Sequence, residues 1–437
     1  MHLLVFLPLL LAALAAPASA QQPDSAPSGP LTLLQAISLG RRQGVDAAVA
    51  RLNLRAAEAR TGQARADLLP DISGSASITR QRLNLDEFGL PIATGVTDPF
   101  SLWSVQLRAS QTVFDASAIS RLRAARDTVV AFGYDAQAVG ALAGATAGLA
   151  YLRVLSADET VRARQADSAI AVSLLDQSRR LVQAGVNPVI DQTRSEVSFA
   201  SVRTQLEVAR NASDRARLDL LRALDLPSGT RLALADSLTL ADLDLPKDPA
   251  AAAAYAREHR PELAAERART TAARRSLTAI RQENLPNLSL GGLYRETGQH
   301  SNDLAGTYSL QLLLNVPILD GFRRQNRAKE EAARVEIQQV RERDLGNQVE
   351  TEARQAVLDL ASAQQQVTIA DERLRLAEQE LAQAQERLEA GVAGTVETTN
   401  AQGSVASARD ALIQARVSYG SARVTTYRAL GAIDQLQ

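Results

Sequence analysis

The sequence predicts a mainly α chain with membrane-type β-strands: a duplicated repeat of long antiparallel coiled-coil helices plus two β-hairpins. Three observations carry this reading. The two halves match each other in order, each half holds a proline-free run of strong helix formers, and two pairs of segments alternate apolar and polar residues.

The chain has 437 residues, enough for about three domains at roughly 150 residues each. Lys and Arg number 48 against 49 Asp and Glu, a net charge of -1. That balance argues against nucleic-acid binding, which needs a basic excess to neutralise phosphates. Cysteine is absent, which removes disulfides, thiolate metal sites, thiol nucleophiles and an acylated N-terminal Cys. The three histidines are His2, His259 and His300, and no cofactor or metal site is expected from them.

Leu3 to Ala16 are almost purely apolar, and Ala18-Ser19-Ala20 precedes Gln21-Gln22. A short apolar core before an A-x-A site reads as a cleaved secretory signal over 1–20, although no Lys or Arg precedes it. Pro8 and Pro17 shorten the run below the roughly 20 residues of a membrane helix. Residues 21–30 read as a loose leader. No later stretch is expected to reach spanning length free of charges, so the mature chain is read as exported and without a membrane helix.

Leu69-Pro70-Asp71-Ile72-Ser73 recurs as Leu285-Pro286-Asn287-Leu288-Ser289, and Val113-Phe114-Asp115 as Ile318-Leu319-Asp320. Ala184-Gly185-Val186 recurs as Ala390-Gly391-Val392, and Arg222-Ala223-Leu224 as Arg428-Ala429-Leu430. Ordered matches of this kind mark a structural repeat. The copies differ mainly by extra residues near Asp86 to Pro99, where a loop tolerates insertion. The expected division is 31–224 for the first repeat, 225–250 for a linker and 251–437 for the second.

From Asp115 to Ala184 and from Asp320 to Ala390 no proline occurs, and Ala, Leu, Arg, Glu and Gln dominate. Each run would extend roughly 100 Å as a helix. In the second copy Val367, Ala370, Leu374, Ala377, Leu381, Ala384 and Leu388 step by three and four. Val405, Ala408, Leu412, Ala415, Tyr419, Ala422 and Ala429 do the same on the returning helix. This is a coiled-coil seam with alanine permitting close approach. Gly133, Gly140, Gly144 and Gly148 allow tight packing in the first copy. Each Ala-Gly-Val marks a turn between paired helices, since glycine supplies the positive-φ exit. The helical hairpins are expected over about 115–224 and 320–430.

After Pro70 the period changes. Ile72, Gly74, Ala76 and Ile78 share one face, with Ser73, Ser75, Ser77 and Thr79 on the other. Trp103, Val105, Leu107 and Ala109 lie opposite Ser104, Gln106, Arg108 and Ser110. The second copy gives Leu288, Leu290, Gly292 and Tyr294, then Tyr308, Leu310, Leu312 and Leu314. Period two means strands, here about 71–114 and 287–317, each of a length suited to crossing an outer membrane. Trp103, Tyr294 and Tyr308 are expected near one membrane rim, Phe114 and Phe322 near the other.

Four strands cannot close a barrel, and open edges are not viable in lipid. Two chains would give eight strands and a filled interior; three give twelve strands and a lumen. A homotrimer in outer-membrane lipid follows.

Together these features resemble the TolC-type outer-membrane efflux and secretion proteins. The resemblance runs from Leu31-Thr32-Leu33 to Leu68-Leu69-Pro70, through its duplicate around Pro261-Glu262-Leu263, both hairpins and both Ala-Gly-Val turns. It implies a twelve-stranded β-barrel over an α-helical periplasmic tunnel. It also implies a periplasmic adaptor protein and an inner-membrane transporter as partners. A passive conduit from periplasm to exterior, gated at its helical tip, would serve a tripartite efflux pump or type I secretion. The family's entrance carboxylates fall at Glu397 and Asn400, the latter a departure from the usual acid. Their first-copy equivalents are Asp191 and Arg194. These four residues are the expected pore constriction, and Gly185, Val186, Gly391 and Val392 the expected adaptor contacts.

A periplasmic coiled-coil adaptor is the alternative, but it would not duplicate amphipathic strand pairs in matching parity. An enzyme is the other class. The chain has no Gly-rich phosphate loop, no H-E-x-x-H and no triad, and Arg257-Glu258-His259-Arg260 lacks a second nearby His.

Overall fold

The computed structural model describes residues 29–88, 95–186, 188–236, 246–390, 392 and 395–435. The signal expected over 1–20, most of the leader, Gly391 and residues 237–245 of the linker lie outside them.

One element order occurs twice. The first repeat runs α1 Leu33–Gln43, α2 Val45–Ala66, β1 Asp71–Gln81, β2 Phe100–Phe114, α3 Ala116–Gln183 and α4 Val189–Ala223. The second runs α5 Pro249–His259, α6 Pro261–Gln282, β3 Asn287–Gly298, β4 Ala305–Asn315, α7 Arg323–Glu389 and α8 Thr395–Leu430. In each, a short helix breaks before a longer one. Gly44 makes the first break, and Pro261 makes the second by forcing Arg260 into extended backbone.

Polar side chains cap the starts of α1, α3 and α5. Thr32 and Gln35 form a capping box, Asp115 accepts from the Ser117 and Ala118 N–H groups, and Asp248 accepts from Ala251 N–H. Burial pushes the Asp115 carboxyl up, but those donors together with Arg121 outweigh it and hold the group below the usual carboxylate range. Left-handed residues set several ends. Gly185 sits at φ 69°, its N–H donating to the Val182 carbonyl while Val186 N–H reaches Leu181. Val392 N–H makes the corresponding bond to Arg387. At the far ends of the same hairpins Asp225 (φ 54°) and Gly431 (φ 74°) play this part, and a Cβ on Gly431 would lie 2.7 Å from the His259 carbonyl oxygen.

The two longest helices run through the whole bundle. Near the sheet the neighbours are α2, α3, α6 and α7 in that order; toward the tip they are α4, α3, α8 and α7. The α7–α8 seam buries Ala377, Leu381, Ala384, Ala401, Val405 and Ala408, continued by Ala370, Leu412 and Ala415. The main core lies where α1, α3, α5, α7 and α8 converge, around Tyr151, Leu152, Val349, Val424 and Leu430. Close approach there uses two of the four first-copy glycines. A Cβ on Gly148 would lie 2.9 Å from Ile37 Cγ1, and one on Gly144 3.0 Å from the Ile37 carbonyl oxygen. Gly133 has open space and Gly140 ordinary contact.

Contrary to the sequence expectation, α3 does contain a window apolar enough to cross a membrane by length and composition. Of that window 61% is buried within the bundle, where its alanines and glycines form the helix contacts just described.

The interrepeat linker is pinned into this core. Leu31 bridges Leu234 in parallel, and the buried Tyr151 hydroxyl donates to the Leu31 carbonyl (2.9 Å) and lies 3.0 Å from Asp236 Oδ2. Burial, then the Asp236 carboxylate, raises the Tyr151 pKa well above the usual phenol range. Arg260, 5% exposed, joins the second repeat's break to α7 and α8. Its guanidinium bonds Glu262, Glu352 (2.9 Å) and the Ala429 carbonyl.

The four strands form one antiparallel sheet in the order β1-β2-β3-β4. Pairing of β2 with β3 joins the repeats, so the two hairpins make a single curtain with β1 and β4 as its edges.

Candidate functional site

The register decides what each face of the sheet offers. Ile72, Gly74, Ala76 and Ile78 stand opposite Ala109, Leu107, Val105 and Trp103. The match continues across the repeats: Gly74, Leu107, Tyr294 and Tyr308 form one row, and Ile72, Ala109, Gly292 and Leu310 the next. The intervening rows are Ser75, Gln106, Arg295 and Thr307, then Ser73, Arg108, Leu293 and Ser309. Side chains alternate across a strand, so one face is largely apolar and the other largely polar. Leu293 and Leu313 interrupt the polar face; Glu296 interrupts the apolar one, where its carboxylate accepts from the Tyr294 hydroxyl at 2.8 Å.

The apolar face is bare. Tyr308 is 85% exposed and Leu310 73%, with Ile72, Leu107, Leu312 and Leu314 also open. A continuous exposed apolar surface of this kind marks contact with lipid or another protein. A bulge between Thr112 and Phe114 brings Phe114 opposite Leu288. Past β4, Ile318, Leu319 and Phe322 are exposed, and Phe322 takes φ 65° at the start of α7.

The aromatics expected at one rim occupy two levels. Trp103 pairs with Ile78 and Gly298 near the strand ends, whereas Tyr294 and Tyr308 face each other four residues deeper, about 13 Å along the strand. The β2–β3 register places Leu107, not Trp103, opposite Tyr294, and repeat parity alone does not determine that register.

At the opposite end of the molecule, Asp191 and Glu397 occupy the first turns of α4 and α8, where the helix dipole favours an acid. Each has an arginine partner, from a different place. Asp191 pairs with Arg194 on its own helix at 3.4 Å, while Glu397 pairs with Arg387, at the end of α7, at 3.2 Å. The equivalent of Arg387 in the first copy is Leu181, and the equivalent of Arg194 in the second is the exposed Asn400. Arg194 therefore does not reach Glu397 within one chain. Val186 and Val392 are exposed at the turns beside these pairs.

Sequence reasoning missed the links around these turns. Arg179 of α3 reaches Glu196 of α4 at 3.4 Å; Gln192 first and Arg179 second hold the Glu196 carboxyl below its ordinary range. Deeper in, Arg164 and Asp167 of α3 engage Asp410 and Arg409 of α8, the Asp167–Arg409 contact being 3.2 Å. The interleaved signs on 164, 167, 409 and 410 were a signal for this, but only the fold brings the two helices together. Behind Arg194, α4 and α8 leave a groove of about 440 Å³ floored by Ala171. No group of three potential metal ligands occurs among the described residues.

Comparison with known proteins agrees with the architecture. The family model "Outer membrane efflux protein" matches residues 38–225 and 253–432, one segment in each run of the repeated element order. The pyoverdine export outer membrane protein OpmQ of Pseudomonas putida is 25% identical over 414 residues, covering 91% of this chain and 85% of that protein. A probable efflux pump outer membrane protein, TtgC of the same species, is 26% identical over 411 residues, covering 88% and 80%. The CmeC outer membrane channel of Campylobacter jejuni superposes with a TM-score of 0.81 at 17% identity, covering 92% of this chain and 86% of that one. The repeated element order, the two-faced sheet and these matches together place this chain in the outer membrane efflux protein family, as an outer-membrane efflux channel reaching into the periplasm.

Proposed function

We propose that three copies join edge to edge, β4 of one beside β1 of the next, into a twelve-stranded barrel above an α-helical tunnel. The observation that carries this is the four-stranded sheet itself, with one bare apolar face, one polar face and two unpaired edges. In lipid an open edge leaves backbone N–H and C=O groups without partners, at several kcal/mol each, so the edges must meet. A passive conduit needs no catalytic group, and its relatives are channel proteins.

The tip is the controlled end. Three Glu397, with three Asp191, form a constriction ring whose charge favours cations, and the paired arginines temper it. Gly185, Val186, Gly391 and Val392 meet the hairpin of a periplasmic adaptor, which couples the tunnel to an inner-membrane transporter. The transporter sets the cargo, whether small molecule, metal ion or protein. Crosslinking from position 186 or 392 to an adaptor hairpin tests the docking: adducts are expected, and their absence at both positions contradicts tip-to-tip contact. Outer-membrane fractions run unheated and heated on a denaturing gel test the assembly. A band near three times the chain mass that collapses on heating is expected, and a heat-insensitive monomer contradicts it.

A further inference from the structure

The polar face of the sheet is not electrically neutral. Across the four strands it carries Arg108 and Arg295 against one carboxylate, Asp71, which stands one row from Arg108 on the helix side and forms no ion pair with it. The two arginines lie on neighbouring strands in adjacent rows, since Arg108 pairs with Leu293 and Arg295 with Gln106. Such diagonal neighbours lie about 7–8 Å apart across adjacent strands. Arg295 is held by a polar ladder: its Nη2 donates to Gln106 Oε1 at 3.2 Å, and Gln106 Nε2 donates to Ser75 Oγ at 2.8 Å. Neither arginine forms an ion pair among the described residues, and both are exposed. Glu296, the nearest acid in sequence, projects from the opposite face, where it is bonded to Tyr294.

Two cations to one acid leave this level with a net positive charge, and two like charges side by side, neither of them ion-paired, repel each other. The arrangement becomes favourable when an anion lies between them, because a guanidinium presents a planar fork of donors that matches carboxylate and phosphate oxygens. We infer that, in the assembled barrel, Arg108 and Arg295 form an anion-binding girdle that takes polyvalent carboxylate or phosphate solutes. This rests on the trimeric barrel, in which the polar face lines the lumen and threefold repetition sets six guanidiniums in two adjacent rows. Low-dielectric walls strengthen that field relative to open water.

The girdle and the tip then select by opposite signs. The entrance carboxylates favour cations, whereas the barrel retains anions after they pass. A cargo carrying both charges, or an anion shielded by a metal ion, meets a favourable field at each end. Rings of arginine in other pores act on anions in the same way.

The test is calorimetric titration of sodium tripolyphosphate into the detergent-purified full chain at low salt, with its assembly state measured on the same sample by light scattering. The wild-type trimer should bind, and Arg108→Gln/Arg295→Gln should weaken binding at least tenfold while staying trimeric. Arg108→Lys/Arg295→Lys, which keeps the charge, should retain most of the affinity. A trimer of the Gln variant that binds as tightly as wild type overturns the girdle and leaves the barrel standing. A monomeric wild type overturns the barrel, and the girdle with it.

Discussion

Arg387 reaches from the last turn of α7 to within 3.2 Å of Glu397 on the first turn of α8, tying the two sides of one turn together. The first copy satisfies the equivalent acid, Asp191, from within α4, through Arg194. Each copy thus pairs its acid with one arginine, but the arginine comes from opposite sides of the turn.

Both residues of the Arg387–Glu397 pair are about half exposed, so Glu397→Gln should alter stability by less than about 1 kcal/mol. Its effect should be on passage. Single-channel recording with hexaamminecobalt(III) on the periplasmic side should need at least tenfold more cation for half block in Glu397→Gln. Unchanged block would remove Glu397 from the constriction.

Arg260 is a structural counterpart. Removing its buried guanidinium leaves Glu352 with only Gln348 and the 3.7 Å contact to Arg428. Arg260→Met should cost about 3 kcal/mol, read as a lowered unfolding midpoint. Burial raises the Glu352 pKa, but Gln348 and Arg260 outweigh it and the net shift is downward. A carboxyl with a depressed folded pKa gives stability above its unfolded pKa and loses it as pH falls through the folded value. In Arg260→Met that contribution is lost, so the midpoint should fall less steeply on acidification than in the wild type, and the gap between the two proteins should narrow as pH drops through the carboxylate range. A midpoint unaffected by the substitution would contradict this assignment.

Gly148 and Gly133 separate packing from propensity on one helix. Gly148→Val pushes a side chain into Ile37 and should destabilise by about 1–3 kcal/mol. Gly133→Ala has open space and should be neutral or stabilising by up to about 1 kcal/mol. Denaturant unfolding of the two variants checks the contrast, and equal losses would contradict it.

The fold was legible because its main signals are periodic and occur twice. The change from a three-four spacing at Val405, Ala408 and Leu412 to strict alternation at Ile72, Gly74 and Ala76 needs no long-range information, and both patterns survive in the structure. What was hidden depends on register or on partners distant in sequence. The pairing of Leu107 with Tyr294 is fixed by β2 meeting β3, and the Arg387–Glu397 contact by α7 and α8 packing side by side at their ends. Asp225 gave no sign of its left-handed backbone except that Gly431 occupies the matching place in the second copy. The apolar stretch of α3 resembles a membrane helix in composition, and only its burial against neighbouring helices says otherwise.

The most direct measurement concerns the sheet edges. The chain has no native cysteine, so paired cysteines report without background. Cysteine at Ser75 on β1, combined in turn with cysteine at Thr307, Ser309 or Gln311 on β4, should yield a disulfide between neighbouring copies in outer-membrane preparations. At least one combination should run as a covalent ring of three on a non-reducing gel and collapse to monomer on reduction. Monomer alone from every combination would contradict a barrel closed by β4 meeting β1.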